Sequence, residues 1–364
     1  LKITGTLSAL PIEVEVSTRP KAKPTSPLGF GVYFSDHMAT LEIDKRGISN
    51  AKIQPYGPLP LDPAASALHY GQALFEGMKA FRGEDGKIRL FRPRDHMRRM
   101  AFGAERLCMP PPPENAALDL IMELIRLDEA WVPSEAGSAL YIRPTLIGTE
   151  GFLGVRPSEN YLFFCILSPV GSYYSAAKTT TSEGVDIFVE SSQARVAPGG
   201  LGEVKAAANY AASLQAAQRA KEKGFSQVLW LDAVERRWIE EVGTMNVMFV
   251  IDGKVVTPPL AGTILGGMTR RSCLELLKDW GIPVEERPVS LQELLEGLSS
   301  GKVTEAFGTG TAAVVTPIRS FFVDQKSHAV PTVVAGALSQ RLKGAIQSLQ
   351  YGRAEDRYGW TLTL

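Results

Sequence analysis

The sequence predicts an α+β protein built from two domains, and three observations carry that expectation. At 364 residues the chain is too long for one compact core. Short stretches of alternating polarity, such as Ala139 to Gly148 and Val185 to Glu190, are interleaved with stretches of helical spacing, such as Asn115 to Trp131. Between the halves lies Pro169-Val-Gly-Ser-Tyr-Tyr-Ser, a turn-rich run that reads as a connection. The expected division is a first domain over 1–170, a linker over 171–184 and a second domain over 185–364.

Charge and composition narrow the partners. Lysine plus arginine equals aspartate plus glutamate at 39 each, so no global field draws the chain to nucleic acid or to an acidic membrane surface. An apolar fraction of 45% and a charged fraction of 21% are those of an ordinary soluble globular protein, which leaves small molecules as the partner class. Cys108, Cys165 and Cys273 are widely spaced among apolar residues and read as reduced core residues of a cytoplasmic protein. His37, His69, His96 and His328 show no metal-ligand spacing, so no zinc or iron site is expected. The longest apolar run, Tyr161 to Leu167, is far short of the roughly 20 residues of a membrane span, and no signal pattern stands at the N-terminus.

Taken in order, residues 1–28 are rich in Thr, Pro and Lys and predict an extended, weakly ordered arm. Phe30 to Ile43 alternates enough for a strand. Ala65 to Phe81 places Leu68, Leu74, Phe75 and Met78 near helical spacing behind Ser66, a candidate N-cap, and predicts a helix. Asp85-Gly86 marks a hairpin turn. A basic helix opens at Pro93 and breaks at Pro110 to Pro113; the helix over Asn115 to Trp131 follows, with Leu118, Ile121 and Ile125 on one face. In the strand Ala139 to Gly148, Tyr141 and Arg143 share a face. Such a pair can receive a carboxylate, or the arginine can pair with an internal acid. Tyr161 to Ser168 is the next strand.

The second half opens with the strand Val185 to Glu190. Pro198 and three glycines up to Gly202 then make a tight loop, and good helix formers from Ala206 make a helix that Gly224 can stop. Lys205 stands at the junction, where burial and the positive end of a helix would both lower the proton affinity of its amine; the competing reading is an ordinary solvated lysine. Further strands are expected over Gln227 to Asp232, Arg236 to Glu241 and Met245 to Ile251, the last ending in an Asp252-Gly253 turn. Gly266-Gly267 precede a helix over Thr269 to Trp280 whose first N–H groups suit an anion. Gly308 to Val315 is a second glycine-rich segment, and Val330 to Gln350 a closing amphipathic helix. The glycines lack dinucleotide-binding spacing, Gly297 to Val303 departs from a nucleotide P-loop, and there is no Gly-x-Ser-x-Gly elbow.

Lys205, Tyr210 five residues on and Glu241 after it supply an amine, a phenol and a carboxylate, the three partners that pyridoxal 5'-phosphate needs for its aldehyde, 3'-oxygen and ring nitrogen. The runs Gly-Glu-Val-Lys-Ala-Ala-Ala-Asn-Tyr and Glu-Glu-Val-Gly-Thr-Met-Asn resemble the branched-chain amino acid aminotransferases, pyridoxal phosphate enzymes of fold type IV. So do Leu-His-Tyr-Gly with Leu-Phe-Glu-Gly-Met-Lys-Ala-Phe, and Tyr-x-Arg-Pro; the likeness runs from about Phe30 to the C-terminal helix.

That resemblance implies a smaller α/β N-terminal domain, a larger β-barrel-like C-terminal domain with flanking helices, the cofactor between them, and a homodimer. It implies that Lys205 is the catalytic lysine, that Arg99 binds the phosphate, and that Tyr210 and Glu241 flank the ring, with Leu265 packed on its face and Met268, Thr269 and Thr311 as phosphate donors. Substrate would meet Phe30, Tyr70, Phe75, Tyr141, Arg143, Thr244 and Ala312, with Leu153 and Val155 reaching in from a neighbouring subunit. The implied reaction moves the amino group of L-leucine, L-isoleucine or L-valine to 2-oxoglutarate, giving L-glutamate. Some members carry Cys-x-x-Cys where this chain reads Ala313-Val-Val-Thr316, so no thiol switch is expected there. Alternatives are a D-amino acid aminotransferase or aminodeoxychorismate lyase on the same fold, and a cofactor-binding protein without activity.

Overall fold

The computed structural model of the chain describes residues 2–7, 10–25, 27–171, 184–331 and 337–364, with side chains from residue 11 onward. Two compact units emerge. The first comprises Leu1–Tyr173, Val204–Ala208 and Ser348–Leu364; the second comprises Tyr174–Glu203 and Asn209–Gln347. The stretch carrying Lys205 and the C-terminal segment therefore group with the first unit and not with the expected 185–364 domain. A β-bridge between Leu74 and Ala206 ties the former, and strand pairing of Thr361–Thr363 with Ile88–Phe91 ties the latter. Of the expected linker over 171–184, all but Gly171 and Gly184 lies outside the described residues.

The first unit runs β1 (Lys2–Leu7), β2 (Leu10–Glu15), β3 (His37–Asp44), β4 (Gly47–Pro55), α1 (Ser66–His69), β5 (Ala73–Phe75), β6 (Met78–Arg82), β7 (Ile88–Phe91), α2 (Pro93–Arg106), α3 (Glu114–Leu127), β8 (Ala139–Gly148) and β9 (Asn160–Val170). Among the described residues these strands and the C-terminal one make a ten-stranded sheet in the order β1-β2-β4-β3-β9-β8-β6-β7-C-terminal strand, with β5 also on β8. Leu120, Ile121, Leu124 and Ile125 of α3 and Met97 and Met100 of α2 share one core with Leu41, Leu140, Ile142 and Phe163. Because side chains alternate along a strand, burying Leu140 and Ile142 in that core turns Tyr141 and Arg143 to the other face.

Several local expectations change here. The expected helix over Ala65 to Phe81 is a single turn, with Ala65 and not Ser66 at the N-cap; it is followed by two strands. Gly71, at φ +62, ends the turn, and Leu74, Glu76, Met78 and Ala80 are buried at the spacing of a strand. Ladder pairing with β8 outweighs local helix propensity. The arm over 1–28 contains β1 and β2, and the strand expected from Phe30 begins at His37. The helix expected through Trp131 ends at Leu127, with a separate 3₁₀ turn over Glu129–Trp131. Cys108 is exposed, whereas Cys165 and Cys273 are buried.

The second unit runs β10 (Val185–Glu190), α4 (Ala207–Glu222), β11 (Gln227–Leu231), β12 (Ile239–Val242), β13 (Met245–Ile251), β14 (Lys254–Thr257), α5 (Met268–Asp279), β15 (Val284–Glu286), α6 (Leu291–Ser300), β16 (Val303–Gly310), β17 (Val314–Val323), β18 (Lys326–Ala329) and α7 (Leu338–Gln350); α4 begins, and α7 ends, in residues grouped with the first unit. The strands pair in the order β12-β11-β10-β17-β16-β13, and a further β12–β13 pairing closes those six into a barrel, as the β-barrel expectation requires. Phe249, Phe307 and Phe321 are fully buried. Asp252 and Gly253, at φ 49 and 76, form the hairpin turn expected of them. Helix α7 starts at Leu338 and not at Val330, with the Leu338 and Ser339 N–H groups donating to the Glu305 carboxylate.

Leu124 is wholly buried beneath the sheet of the first unit. Leu124→Ala should cost about 2–5 kcal/mol, read as a lower urea midpoint for that unit's unfolding.

Candidate active site

In the first unit, the backbone places the junction lysine against β5. The Phe75 N–H donates to the Lys205 carbonyl at 3.2 Å, next to the Leu74–Ala206 bridge. Lys205 is half-buried, and its Nζ lies 4.7 Å from the centre of the Phe75 ring. One residue further along, Glu76 is 1% exposed. Its carboxylate accepts hydrogen bonds from Arg99 Nε (2.7 Å) and Nη2 (2.8 Å), from His96 Nδ1 (2.8 Å) and from the Gly77 N–H (3.1 Å).

Burial opposes the Glu76 charge, yet Arg99 and His96 outweigh it and hold the carboxyl well below the usual carboxylate range. His96 is pushed down, first by burial, with the charges of Arg99 and Lys205 adding to the effect against the pull of Glu76. A neutral His96 therefore donates from Nδ1, and Glu76 and Arg99 form the ion pair. A bidentate carboxylate fixes the plane of the Arg99 guanidinium.

On the site-facing side of the sheet, Arg143 Nη2 donates to Tyr141 Oη at 3.1 Å, and the guanidinium stands 4.5 Å from the Phe75 ring centre. Phe30 meets Tyr141 edge-on at 4.9 Å. Arg143 Nε and the Ser168 hydroxyl are buried without a hydrogen-bond partner; Ser168 stands directly across from Tyr141 on β9. Lys79 stands across from Tyr141 on β6, hence on the same face, and burial lowers its amine to about 8. Gly77 allows this packing, since a Cβ there would lie 1.9 Å from Tyr141 Oη. At the edge, the half-exposed Tyr70 donates its hydroxyl to the Leu153 carbonyl, and Leu153 and Val155 are 62% and 87% exposed.

In the second unit, Glu241 on β12 is 3% exposed. Its Oε1 accepts the Leu265 N–H at 2.7 Å, and its Oε2 lies 3.4 Å from Arg195 Nε. Asn246, paired with Glu241 across the β12–β13 hairpin, donates to the Leu265 carbonyl at 2.8 Å. The loop carrying Leu265 leads into α5, whose N-cap is Gly267 with no side-chain cap. The first N–H groups of a helix have no partner inside it, so the Met268–Thr269 end suits an anion. Thr311 and Ala312 lie half-buried in the turn between β16 and β17, Thr244 is exposed in the β12–β13 turn, and Tyr210 is half-buried in α4.

The structure thus brings together Lys205, Arg99, Phe75, Tyr141, Arg143 and Phe30 in the first unit, and Glu241 with Leu265 in the second. Glu76, His96, Lys79 and Arg195 were not singled out as site residues from sequence. Glu76 and Lys79 sit inside the quoted Phe-Glu-Gly-Met-Lys run, which was the one available signal for them. Each unit by itself holds groups that suit part of a phosphate-bearing aldehyde: a half-buried amine and a fixed guanidinium in the first, a buried carboxylate and a helix start without a side-chain cap in the second. Among the described residues, no group of three or more His, Cys, Asp or Glu could hold a metal ion.

Comparisons with known proteins agree on one family. A family model described as Amino-transferase class IV matches residues 73–321. The chain is 46% identical over 353 residues to the branched-chain-amino-acid transaminase 1 of Bacillus subtilis (strain 168), covering 96% of this chain and 98% of that one. The branched-chain amino acid aminotransferase of Escherichia coli superposes with a TM-score of 0.72 at 27% identity, over 90% of this chain and 98% of that one. A branched-chain amino acid aminotransferase from T.th., complexed with N-(5'-phosphopyridoxyl)-L-glutamate, gives 0.70 at 26%, over 89% and 98%.

The Glu76–Arg99 pair should also be visible in acid. Because the folded protein holds Glu76 below its unfolded value, its contribution is complete above about pH 4.3 and fades as the pH falls further. Glu76→Gln should lower the unfolding temperature at pH 7 and flatten its fall between about pH 4.3 and 3, followed by circular dichroism.

Proposed function

The chain belongs to the class IV aminotransferases, among the branched-chain amino acid aminotransferases, and from that membership we propose the substrates and residue roles of this enzyme. It is a transaminase that uses pyridoxal 5'-phosphate. Its substrates are L-leucine, L-isoleucine and L-valine, with 2-oxoglutarate as the amino acceptor.

The bound cofactor supplies an electron sink for the pair left when the substrate's α-C–H bond breaks. Lys205 would hold the cofactor through its aldehyde group, and its free amine would take up the proton from the substrate's α-carbon. Arg99 grips the phosphate, aided by Met268 and Thr269 at the α5 start and by Thr311. Glu241 holds the ring nitrogen protonated, Tyr210 donates to the 3'-oxygen, and Leu265 packs against the ring. Thr244 and Ala312 contact the substrate.

The observation that carries the substrate reading is the Tyr141–Arg143 pair beside Phe75 and Phe30. Aromatic walls strip water from a branched chain, at about 1.5–3 kcal/mol per side chain buried. On the same face, Arg143 with Tyr141, and Lys79 across from it, favour the distal carboxylate of 2-oxoglutarate. Leucine, isoleucine and valine are poorly separated, since one methylene is worth only ~1–3 kcal/mol.

The exposed Leu68, Phe152, Leu153 and Val155 support a homodimer in which the 151–155 loop completes the neighbour's pocket. Free cysteines and the lack, among the described residues, of a helix long and apolar enough to cross a membrane support a cytoplasmic location.

With L-leucine and 2-oxoglutarate the protein should form glutamate in a coupled assay, and D-alanine should not replace leucine. Lys205→Ala should abolish both turnover and the cofactor band at about 410–430 nm. Arg143→Leu should raise the KM for 2-oxoglutarate about 10–100-fold while leaving the KM for leucine within about threefold; equal losses for both would remove Arg143 from carboxylate recognition.

A further inference from the structure

Arg195 lies on the loop after β10, with its side chain 9% exposed against 4% for Glu241. Its Nη2 donates to two backbone carbonyls on different loops, Gly202 at 3.3 Å and Thr263. Those bonds fix the guanidinium so that its Nε edge faces Glu241 Oε2 at 3.4 Å. Nε itself is buried and makes no hydrogen bond. The Leu265 N–H on the other carboxylate oxygen comes from the same loop as the Thr263 carbonyl, so one loop sets both partners.

A second acid shares this environment. Glu240 is 5% exposed, its Oε2 has no partner, and its proton affinity is raised by burial first and then by the charges of Glu241 and Asp232, against the opposing pull of the Thr263 hydroxyl and Arg195. Two neighbouring buried carboxyl groups without a cation tend to keep one proton between them.

We propose that Arg195 is a positioning residue that holds the Glu241 carboxylate in place and ionised, so that Glu241, and not its neighbour Glu240, carries the charge that faces the cofactor's ring nitrogen. The inference rests on the reading of Glu241 as the ring-nitrogen partner. A protonated Glu241 would not keep that nitrogen protonated, and the cofactor would lose both affinity and electron demand.

The test is a double-mutant cycle on the full-length protein: Arg195→Met, Glu241→Gln and the double variant, with Arg195→Lys as the charge-preserving control. The readouts are the dissociation constant of pyridoxal 5'-phosphate by equilibrium dialysis at pH 6 to 9, the bound cofactor's absorbance across that range, and the unfolding temperature of the cofactor-free protein. Arg195→Met should weaken cofactor binding about tenfold or more, and most at the acid end of that range; Arg195→Lys should restore most of it. In the Glu241→Gln background, Arg195→Met should change the constant by less than about twofold.

Equal factors in both backgrounds, or losses that track the unfolding temperature, would make Arg195 a brace between loops and overturn the proposal. If Glu241→Gln alone leaves the constant and the spectrum unchanged, the role given to Glu241 falls, and this inference with it. Should Arg195→Met fail to fold, Arg195→Gln, alone and with Glu241→Gln, takes its place in the cycle.

Discussion

Strand β8 pairs with β9 along its whole length, and with β5 and β6 along its other edge, so its alternation is imposed on its neighbours. Leu140 and Ile142 go into the core, and Tyr141 and Arg143 go to the opposite face with Lys79 and Ser168. A slip of one residue would bury the guanidinium among methionines and leucines and put aliphatic chains where Tyr141 and Arg143 stand. The helices beneath the sheet therefore stabilise more than a core, because the apolar surface they bury fixes which side of β8 carries Tyr141 and Arg143.

Each unit also buries a glutamate against an arginine, and the two pairs differ in an informative way. Glu76 and Arg99 meet through two short hydrogen bonds, with His96 and a backbone N–H filling the remaining acceptor positions. Such a pair tolerates burial because nearly every lone pair is satisfied. Glu241 and Arg195 touch more loosely, at 3.4 Å, and Glu241 takes its shorter bond from a main-chain N–H. The first arrangement orients a cation, while the second sets a carboxylate between a main-chain N–H and the edge of a guanidinium. The roles proposed for the two sites differ in the same sense, an anion being gripped at one and a ring N–H at the other.

Much of this was legible in the chain. The strands Ala139–Gly148, Val185–Glu190 and Met245–Ile251 fall where alternation places them, and the Asp252-Gly253 turn is decided by two residues that accept positive φ. The Tyr-x-Arg pair was placed on one face by strand geometry alone. The misread stretch was Ala65 to Phe81, where apolar residues satisfy both helical and strand spacing and only pairing with a distant strand decides. Arg195, Glu76 and Lys79 escaped notice for a related reason. A charged residue shows no local sign that it will be buried; Glu76 becomes a core residue because Arg99 lies 23 positions further on, and Arg195 because the Thr263 carbonyl, 68 positions away, accepts a hydrogen bond from it. The closed barrel likewise depends on β10 pairing in parallel with β17, a contact without a local signature.

The bond from the Phe75 N–H to the Lys205 carbonyl, beside the Leu74–Ala206 bridge, splits the lysine into two mechanical parts. Its main chain is stitched to a sheet edge, while its amine stands over the Phe75 ring at the end of four methylenes. In the role proposed for Lys205, the amine exchanges one carbon for another by bond rotations, on the nanosecond scale of side chains, without waiting for a loop to rearrange.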